Sequence, residues 1–240
     1  MEEWLERTEM LVGRSALEKL SGSRVAVVGV GGVGAFAAEM LVRSGVGHVT
    51  IVDSDTVSQS NINRQLLALH STVGRPKVEV LGERLLDINP NLELKCVMEY
   101  LNESNAAELL SGADAVVDAI DTLSPKISLI QYCLKSGIPL VSSMGSGAKF
   151  DVTRIRISDI SRTRMCPLAH MLRKRLHKLG ITTGFTAVYS EEEPRRESTV
   201  IEESRNKKSQ VGTISYMPAA FGCACAQAAL AIIAGVGENH

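Results

Sequence analysis

The amino-acid sequence predicts an α/β protein with a Rossmann-like, doubly wound and mainly parallel sheet, extended by a C-terminal elaboration. Over the first 147 residues, short apolar runs typical of buried strands alternate with segments of helical periodicity. A glycine-rich turn, Gly29-Val30-Gly31-Gly32-Val33-Gly34, joins the first apolar run to a helix. Asp53 ends the second run, so the first fifty residues have the order and length of a βαβ unit.

The elements of this first part follow one another in a regular order. Residues 3–20 carry leucines near helical spacing and predict an amphipathic helix. Strands are expected at 24–28, 48–53, 92–98, 113–119 and 139–143, because each is a short, largely apolar run. The intervening helices are expected at 35–44, 76–88, 103–110 and 125–135, with Pro76 in a first turn and Ser124 as an N-cap.

The pattern changes after residue 147. A strand is expected at 153–159 and a basic helix at 167–179. Residues 191–210 are rich in both signs of charge and predict a mobile loop over or beside the site. The sequence has no internal repeat and no clear linker. We therefore predict one domain, with the nucleotide-binding core and N-terminal helix in residues 1–147 and an elaboration of it in residues 148–240.

The apolar segment at 217–236 is about as long as a bilayer-spanning helix and carries no charged residue. It is built mostly from alanine and glycine, with Gln227 in its middle and Pro218 near its start. Small residues of this kind suit close helix packing, and their hydrophobicity is weak. The sequence therefore favours a buried or subunit-packing helix over membrane association.

Charge and cysteine content narrow the class of protein. The formal net charge is −1, so nucleic-acid binding would require a local basic patch. The five cysteines are odd in number, scattered and without a C-x-x-C pair, which argues against a zinc knuckle and does not imply disulfides. The acidic N-terminus lacks the apolar segment of a signal peptide. These observations predict a cytoplasmic protein.

The glycine-rich turn predicts a phosphate site. Gly29, Gly31 and Gly34 have the G-x-G-x-x-G spacing, in which glycine permits a tight turn, close approach of phosphate to the backbone and close packing of helix on strand. The free N–H groups of the following helix would face the phosphates. Asp53 is positioned for ribose hydroxyls. On its own, this motif would suit NAD as well as ATP.

The residues after Asp53 argue against a hydride-transfer site. They include Asp55, Asn61, Arg64 and Gln65, and Lys77 follows at the next helix. A site that cleaves ATP needs such cations, because charge develops on phosphate oxygens and must be met by preorganised positive groups and a metal. The pattern therefore favours ATP.

This combined motif, Asp53-x-Asp55, Ser60-Asn61-x-Asn63-Arg64-Gln65 and Lys77, resembles the ThiF/MoeB/HesA family of ubiquitin-activating-enzyme-like adenylating proteins. The similarity covers residues 7–147. The resemblance implies that Asp53 holds the ribose, that Asn61, Arg64 and Lys77 contact the triphosphate, and that Asp121 binds Mg²⁺ in preference to Asp118. It also implies a homodimer in which Arg7 reaches the neighbouring subunit's ATP. The catalytic candidates are Arg7, Arg64, Lys77 and Asp121; the nucleotide-binding candidates are Gly29, Gly31, Gly32, Gly34, Asp53, Asp55, Asn61, Arg64, Gln65 and Lys77.

The second half is similar to the tRNA threonylcarbamoyladenosine dehydratase branch of that family, on Asp118-Ala119-Ile120-Asp121, Pro125-Lys126 and Pro167-Leu168-Ala169. This resemblance implies that ATP activates the threonyl carboxylate at tRNA position 37, which then cyclises with loss of water. Two alternatives stay open: adenylation of the C-terminal glycine of a ubiquitin-like sulfur carrier, and a nucleotide-binding module without turnover. A sulfur-relay or helper protein is a further partner that the sequence does not identify.

The basic stretch from Arg162 to Lys178 supports the tRNA branch independently. It contains six Arg or Lys residues, two histidines and no acid, so it can contact RNA phosphates, although charge runs also occur as solvated helix faces. Cys166 stands before Pro167, where the dehydratase pattern has an acidic residue. A thioester-forming cysteine would suit the sulfur-carrier alternative, but His170 is the one evident partner, and a structural cysteine is the simpler interpretation.

Overall fold

A seven-stranded sheet forms the centre of the molecule, as the alternating pattern predicts. The computed structural model describes residues 2–200 and 210–237. In chain order the strands of this sheet are β1 (Arg24–Val28), β2 (His48–Val52), β3 (Glu93–Val97), β4 (Ala115–Asp118), β5 (Leu140–Ser143), β6 (Ile155–Asp159) and β7 (Thr186–Ser190). Their spatial order is β3-β2-β1-β4-β5-β7-β6, and every neighbouring pair is parallel except β6 and β7.

Helices cover both faces of this sheet. They are α1 (Glu6–Val12), α2 (Arg14–Gly22), α3 (Gly34–Arg43), α4 (Lys77–Ile88), α5 (Ala106–Leu110), α6 (Leu123–Ser136), α7 (Pro167–His177) and α8 (Tyr216–Ala234). Val25 and Val27 of β1 pack in one buried cluster with α3, α4 and α8, whereas Ala26 and Val28 pack in a second cluster with α5, α6 and α7. Successive strand residues point to opposite faces, so a strand buried on both sides is apolar throughout.

The N-terminal helix predicted over 3–20 is two helices. α1 ends at Val12 and α2 begins at Arg14, because Gly13 between them adopts φ +81°. That conformation interrupts a right-handed helix, and glycine adopts it without a Cβ clash. Leu17 and Leu20 of α2 are buried, while no residue of α1 is.

Two other expectations about boundaries were wrong. Ser124 does not cap α6: the helix begins at Leu123, and the N-cap position is Thr122, whose side chain makes no capping bond. Pro125 lies in the first turn, where a missing N–H costs no intrahelical hydrogen bond. The helix expected over 103–110 forms only at Ala106–Leu110, after a turn that Asn102 and Asn105 stabilise with side-chain bonds to the backbone.

The strand β7 was not expected from the sequence. It lies between β5 and β6 in the sheet and runs parallel to β5, with Val141 opposite Thr186. β6 pairs with it in the antiparallel sense over five residue pairs. The part of the chain after residue 147 therefore extends the same sheet that the first part begins.

The terminal helix α8 packs on the sheet. Its residues Met217, Phe221 and Cys225 are fully buried, in the same cluster as α3 and the strands β4, β5 and β7. By length and composition α8 would also be able to cross a bilayer, and about 44% of its apolar window is buried inside the molecule. Its buried face agrees with the preference for a packing helix.

Residues 201–209 of the predicted mobile loop at 191–210 lie outside the described residues, so its mobility stays a prediction. Its first part is attached to the domain: the Glu192 carboxylate accepts hydrogen bonds from the backbone N–H groups of Phe150 and Asp151. A short antiparallel pair, β8 (Thr199–Val200) and β9 (Gln210–Val211), flanks residues 201–209.

Candidate nucleotide-binding site

The candidate site lies where the strand order of the sheet reverses. β1 has β2 on one side and β4 on the other, so the loops after β1 and β4 leave the sheet at one edge and in opposite directions. The two loops touch. A Cβ on Gly29 would lie 2.9 Å from the backbone oxygen of Ala119, and Gly29 has φ +85°. Both observations require glycine at this position.

The other glycines of the turn have different reasons to be glycine. A Cβ on Gly34 would lie 1.8 Å from the backbone oxygen of Gly29, so α3 approaches the turn more closely than any side chain allows. A Cβ on Gly32 would lie 3.1 Å from the Cβ of Pro218 in α8. At Gly31 the nearest atom is the side-chain Nε2 of Gln65, at an ordinary 3.6 Å. The fold itself therefore does not require glycine at position 31, and we call this part of the turn the cradle, because the second glycine of G-x-G-x-x-G is the one that a phosphate would approach.

Asp53 fixes the glycine-rich turn to the end of β2. Its Oδ2 accepts a hydrogen bond from the Val30 N–H at 2.8 Å, and its Oδ1 accepts one from the Asp55 N–H at 2.9 Å. Burial raises the pKa of the Asp53 carboxyl, although the Lys77 ammonium, 4.0 Å away, and these hydrogen bonds act in the opposite direction. Asp53 therefore lies at the edge of the turn, where a ribose can reach it, and also orders the turn.

Lys77 is a buried cation at the first residue of α4. Its side chain is 7% exposed, and its Nζ donates to Asp55 Oδ2 at 2.7 Å. Its backbone N–H donates to the Asp55 carbonyl at 3.0 Å. The paired carboxylate compensates the cost of burying the ammonium. The sequence separates these residues by more than twenty positions, and the fold places them together beside Asp53.

The turn from Ser58 to Gln65 presents the remaining polar groups. Asn61 is buried, and its Oδ1 accepts the Ser58 N–H, which closes a capping box. Arg64 is half-buried, and its Nη1 donates to the Ser60 carbonyl at 2.8 Å and to Asn63 Oδ1 at 2.9 Å. These bonds use one of its two terminal nitrogens and hold the guanidinium in place.

Gln65 carries an acceptor without a partner. Its Oε1 is buried, and none of the described residues donates a hydrogen bond to it. Such a group costs roughly 1–3 kcal/mol when it stays unpaired. The same side chain lies beside Gly31. A ligand with hydrogen-bond donors, bound in the cradle, would satisfy it.

Asp118 at the end of β4 and Asp121 in the following loop have different surroundings. Asp118 is fully buried, and its carboxylate accepts hydrogen bonds from Lys126 Nζ at 2.7 Å, Ser142 Oγ at 2.6 Å and the Ile120 N–H at 3.1 Å. Its oxygens are committed inside the protein. Asp121 is exposed, three residues further on, in the loop that contacts Gly29. The preference for Asp121 as the metal ligand stays a prediction.

Arg7 is not brought to the site within one chain. It is exposed on α1, and its side chain makes no hydrogen bond or ion pair with residues 2–200 or 210–237. The same helix exposes two apolar side chains, Met10 (81% exposed) and Leu11 (86% exposed). A contribution of Arg7 to an ATP site would therefore have to come from a second copy of the chain.

The basic stretch lies on and before α7. Arg162, Lys174, Arg175 and Lys178 are exposed, and no carboxylate of the described chain pairs with them. Arg164 pairs with Glu191, and Arg173 donates to the Thr163 carbonyl at 2.8 Å. Cys166 is 3% exposed at the N-cap position of α7, where a thioester with a carrier protein would not be accessible.

Several residues at this edge of the sheet were not expected from the sequence. Pro218 contacts Gly32, and the Thr213 carbonyl accepts a hydrogen bond from Asn63 Nδ2 at 3.1 Å. Lys149 is 3% exposed, and its Nζ donates to the Gly145 carbonyl at 2.8 Å. Burial lowers the pKa of this ammonium. These contacts join distant segments, and no local pattern in the sequence indicates them.

Comparison with known proteins gives this arrangement a family. Residues 5–240 match the model of the ThiF family. The tRNA threonylcarbamoyladenosine dehydratase of Bacillus subtilis is 48% identical over 189 residues, which cover 78% of this chain and 74% of that protein.

Solved structures agree with this sequence relationship. The crystal structure of Escherichia coli tRNA N6-threonylcarbamoyladenosine dehydratase, TcdA, in complex with ATP superposes with a TM-score of 0.89 at 34% identity, covering 100% of this chain and 99% of that one. The structure of the same protein in complex with AMP has a TM-score of 0.88, at 34% identity and with 100% and 98% of the two chains covered.

Proposed function

The chain belongs to the ThiF family, and on that premise we propose that it is an ATP-dependent tRNA threonylcarbamoyladenosine dehydratase. It activates the threonyl carboxylate of the modified adenosine at tRNA position 37, and the activated side chain closes into a ring with loss of one water. The single observation that carries the proposal is the cradle at Gly31, with the unpaired Gln65 acceptor beside it and Lys77 Nζ 4.0 Å from the Asp53 carboxylate. The phosphates of ATP would occupy the cradle, and hydrogen-bond donors of ATP would pair with the Gln65 acceptor.

Each group of the candidate site has a task in nucleotide binding. The N–H groups at the start of α3 face the phosphates, where the partial positive charge of the helix end favours anions. Asp53 accepts the ribose hydroxyls. Asn61, Arg64 and Lys77 contact the triphosphate, and Asp55 keeps the Lys77 ammonium in place until the nucleotide binds.

Mg²⁺ fits this set of residues. No group of three or more His, Cys, Asp or Glu side chains in residues 2–200 and 210–237 would form a dedicated metal cage. Mg²⁺ in ATP-using enzymes is instead held by one or two carboxylates together with phosphates and water. Asp121 is an exposed carboxylate at this edge, as is Asp55. When bound, the ion would neutralise part of the phosphate charge.

The protein's own residues account for the chemistry. A carboxylate oxygen of the tRNA attacks the α-phosphorus, and pyrophosphate leaves with the electron pair of the broken P–O bond. Arg64 and Lys77 stabilise the negative charge that develops on the phosphate oxygens. A nucleophile of the threonylcarbamoyl side chain then attacks the activated carbonyl, and AMP leaves with the former carboxylate oxygen. The E. coli relative's complexes with ATP and AMP support attack at this phosphorus.

The exposed basic residues of α7 and the segment before it would contact the RNA backbone. Arg162, Lys174, Arg175 and Lys178 lack carboxylate partners in the described chain, so their charge is available to phosphates. We expect these contacts to position the RNA without reading its sequence. tRNA as the substrate also supports a cytoplasmic location.

A homodimer would complete the site. Met10 and Leu11 are more exposed than large apolar side chains ordinarily are, and they lie in the same short helix as Arg7. A partner subunit that covers these two side chains would receive Arg7 at its ATP. The geometry thus supports a cation donated in trans; a helper protein stays a prediction without a structural counterpart.

The sulfur-carrier alternative predicts a different reaction at the same edge. An accessible nucleophilic cysteine would support it, whereas Cys166 is buried against Gly145. Pyrophosphate exchange that depends on a ubiquitin-like carrier would favour this alternative over tRNA dehydration.

The proposal is tested by incubating the protein with ATP and tRNA that carries threonylcarbamoyladenosine. Digestion to nucleosides and mass spectrometry should show a loss of one water from that nucleoside, dependent on ATP. Lys77→Ala should lose the conversion, while Lys95→Ala, an exposed residue of β3, should retain it. An unchanged nucleoside mass with protein that binds both ATP and tRNA would reject the proposal.

A further inference from the structure

A surface concavity of about 340 Å³ lies at the N-terminal end of α7. Its volume is in the range of small-ligand sites, although it is open to solvent on one side. It is not part of the candidate nucleotide-binding site. The lining residues are Met165, Cys166, Pro167, His170, Met171 and Arg173.

The lining suits a flat aromatic group. Met165 and Met171 are 59% and 48% exposed, so their thioethers are available at the surface, and the His170 ring is exposed beside them. Sulfur and imidazole groups both make favourable contacts with aromatic rings. The Arg173 guanidinium, also in the lining, donates to the Thr163 carbonyl, which fixes a planar cation at the concavity.

The surroundings of the concavity are positively charged. Arg162 and Lys174 are exposed and unpaired within the described chain, and helical spacing places Lys174 on the same face of α7 as His170 and Met171. Glu191, the nearby carboxylate, is already paired with Arg164 and Arg156. Anionic groups attached to an aromatic ligand in the concavity would therefore meet these positive charges.

A second concavity in the described residues gives a contrast. It measures about 260 Å³, includes Pro139 and Phe185, and lies at the opposite edge of the sheet, where β5 begins. Its charged lining residue is Asp159, an acid. Positive surroundings therefore distinguish the concavity on α7.

The concavity lies near the carboxyl end of β5. A Cβ on Gly145, just after β5, would lie 3.9 Å from Cys166 Sγ and 3.7 Å from the Cβ of Leu168. β5 is the neighbour of β4, whose loop carries Asp121. Lys149 holds the intervening loop through its bond to the Gly145 carbonyl. The concavity and the nucleotide site are thus on the same edge of the sheet, one loop apart.

We propose that this concavity binds an unpaired nucleobase that flanks the modified adenosine of the RNA substrate, with its adjacent phosphates on Arg162 and Lys174. The inference rests on the proposed function, since it takes tRNA as the substrate. The bases of an anticodon loop are not held in a duplex, so they can be splayed out, and proteins recognise such bases by stacking. The flanking base would thereby hold the modified adenosine at the edge where ATP binds.

The test combines protein variants with altered RNA. The variants are His170→Ala, Met171→Ala and, as a matched control on the same helix, His177→Ala, which lies outside the concavity and is exposed. The RNAs are anticodon stem-loops with threonylcarbamoyladenosine, either intact or with one of the two flanking bases replaced by an abasic site. The dissociation constant for RNA, the KM and kcat of dehydration, and the affinity for ATP are measured for each pair.

We expect His170→Ala and Met171→Ala each to weaken binding of intact RNA roughly tenfold, the effect of losing one stacked base. KM should rise by the same factor, while kcat and ATP affinity stay within about twofold. His177→Ala should bind as the native chain does. With the RNA that lacks the occupying base, the concavity variants should bind as tightly as the native chain.

The inference is overturned if the concavity variants bind intact RNA normally, if His177→Ala weakens binding equally, or if the loss persists with both abasic RNAs. The dissociation constants require no chemistry. A native chain that binds RNA but leaves the nucleoside mass unchanged would therefore contradict the proposed function, while the comparison of intact and abasic RNA would still decide the base site.

Discussion

At the scale of single residues, we expect replacement by alanine to affect stability differently at two glycines of the same turn. A Cβ on Gly34 would overlap the Gly29 carbonyl, whereas a Cβ on Gly31 makes only an ordinary contact with Gln65. Gly34→Ala should therefore lower the free energy of unfolding by more than about 3 kcal/mol, as severe overpacking does. Gly31→Ala should fold with little change in stability.

The Gly31 methyl would instead occupy the cradle, so the affinity for ATP should fall at least about tenfold. Denaturant unfolding and calorimetric titration with ATP measure the two effects separately. Gly22→Ala is the control, because a Cβ there meets no atom within 4 Å. Normal ATP affinity in Gly31→Ala would show that the phosphates bind elsewhere.

The buried ion pair between Asp118 and Lys126 makes a second prediction at this scale. Both side chains are fully buried, and Lys126 Nζ also donates to the Ile120 carbonyl at 2.9 Å. Lys126→Met leaves the carboxylate without its counter-ion and should lower the free energy of unfolding by about 3–5 kcal/mol. Lys135→Met, the same change at an exposed position of α6, should alter it by less than about 0.5 kcal/mol. Equal effects of the two changes in urea unfolding would contradict a stabilising role for the pair.

The polar residues of the site differ in how far the sequence predicts them. The glycine spacing, Asp53 and the Asn61–Lys77 run indicate a nucleotide site because they are close in sequence and each residue type suits phosphate or ribose. The sequence does not indicate that the Asp118 carboxylate accepts hydrogen bonds from Lys126 and Ser142. Asp118 and Ser142 are on adjacent strands, and the register of those strands depends on the whole sheet.

At the scale of elements, the close approach of α3 and α8 supports the site from behind. A Cβ on Gly222 would lie 2.6 Å from the Phe36 Cβ and 2.6 Å from the Val33 carbonyl. Gly222→Ala should push the helices apart and lower the free energy of unfolding by about 1–3 kcal/mol. It should also weaken ATP binding, because Val33 is the N-cap and Gly34 the first residue of α3, at the proposed phosphate site.

Cys223→Ala is the matched control, since Cys223 is the next residue of α8 and is exposed. Thermal unfolding and ATP titration of the two variants measure the effect. If Gly222→Ala has the stability and ATP affinity of the control, the contact between the helices does not constrain the glycine-rich turn.

Elements with a local signal were predicted well, and those set by distant contacts were not. β1 has the predicted bounds, because a short apolar run that a glycine turn ends has few possible structures other than a buried strand. β7 was missed because its five residues become a strand only by pairing with β5 and β6. The break at Gly13 was not predicted, because the apolar spacing continues across it. The helix itself ends there, since Gly13 adopts φ +81°.

At the scale of the whole molecule, the proposed homodimer makes a prediction that a monomer does not. If Arg7 serves the partner's ATP, a subunit with Arg7→Ala retains a usable site when its partner is native at Arg7. Mixed dimers of Arg7→Ala and Lys77→Ala subunits should then regain about a quarter of native activity, because half of the dimers are mixed and each has one complete site.

The measurement is the rate of dehydration after the two inactive variants are mixed and allowed to exchange subunits. Arg7→Ala mixed with Arg7→Ala,Lys77→Ala is the control and should stay inactive. Activity absent from the first mixture, in which mixed dimers are demonstrated by native mass spectrometry, would contradict a role of Arg7 across the interface.

The assembled chain also shows why the second half was the harder part to predict. Its sheet extension, the packing of Pro218 on Gly32 and the bond from Asn63 to Thr213 bring residues of the last third onto a site whose recognisable motif lies in the first third. The motif predicts what the nucleotide site is made of, while long-range packing determines what surrounds it.

The central claim, that ATP activates the carboxylate of the tRNA substrate at the α-phosphorus, is tested most directly by following an oxygen atom. tRNA whose threonylcarbamoyl carboxylate is labelled with ¹⁸O is converted with unlabelled ATP, and the nucleotide products are analysed by mass spectrometry. The account predicts one ¹⁸O atom in AMP, none in pyrophosphate, and a nucleoside that has lost one labelled oxygen. Label in inorganic phosphate with ADP as the nucleotide product, or a dehydrated nucleoside with unlabelled AMP, would contradict it.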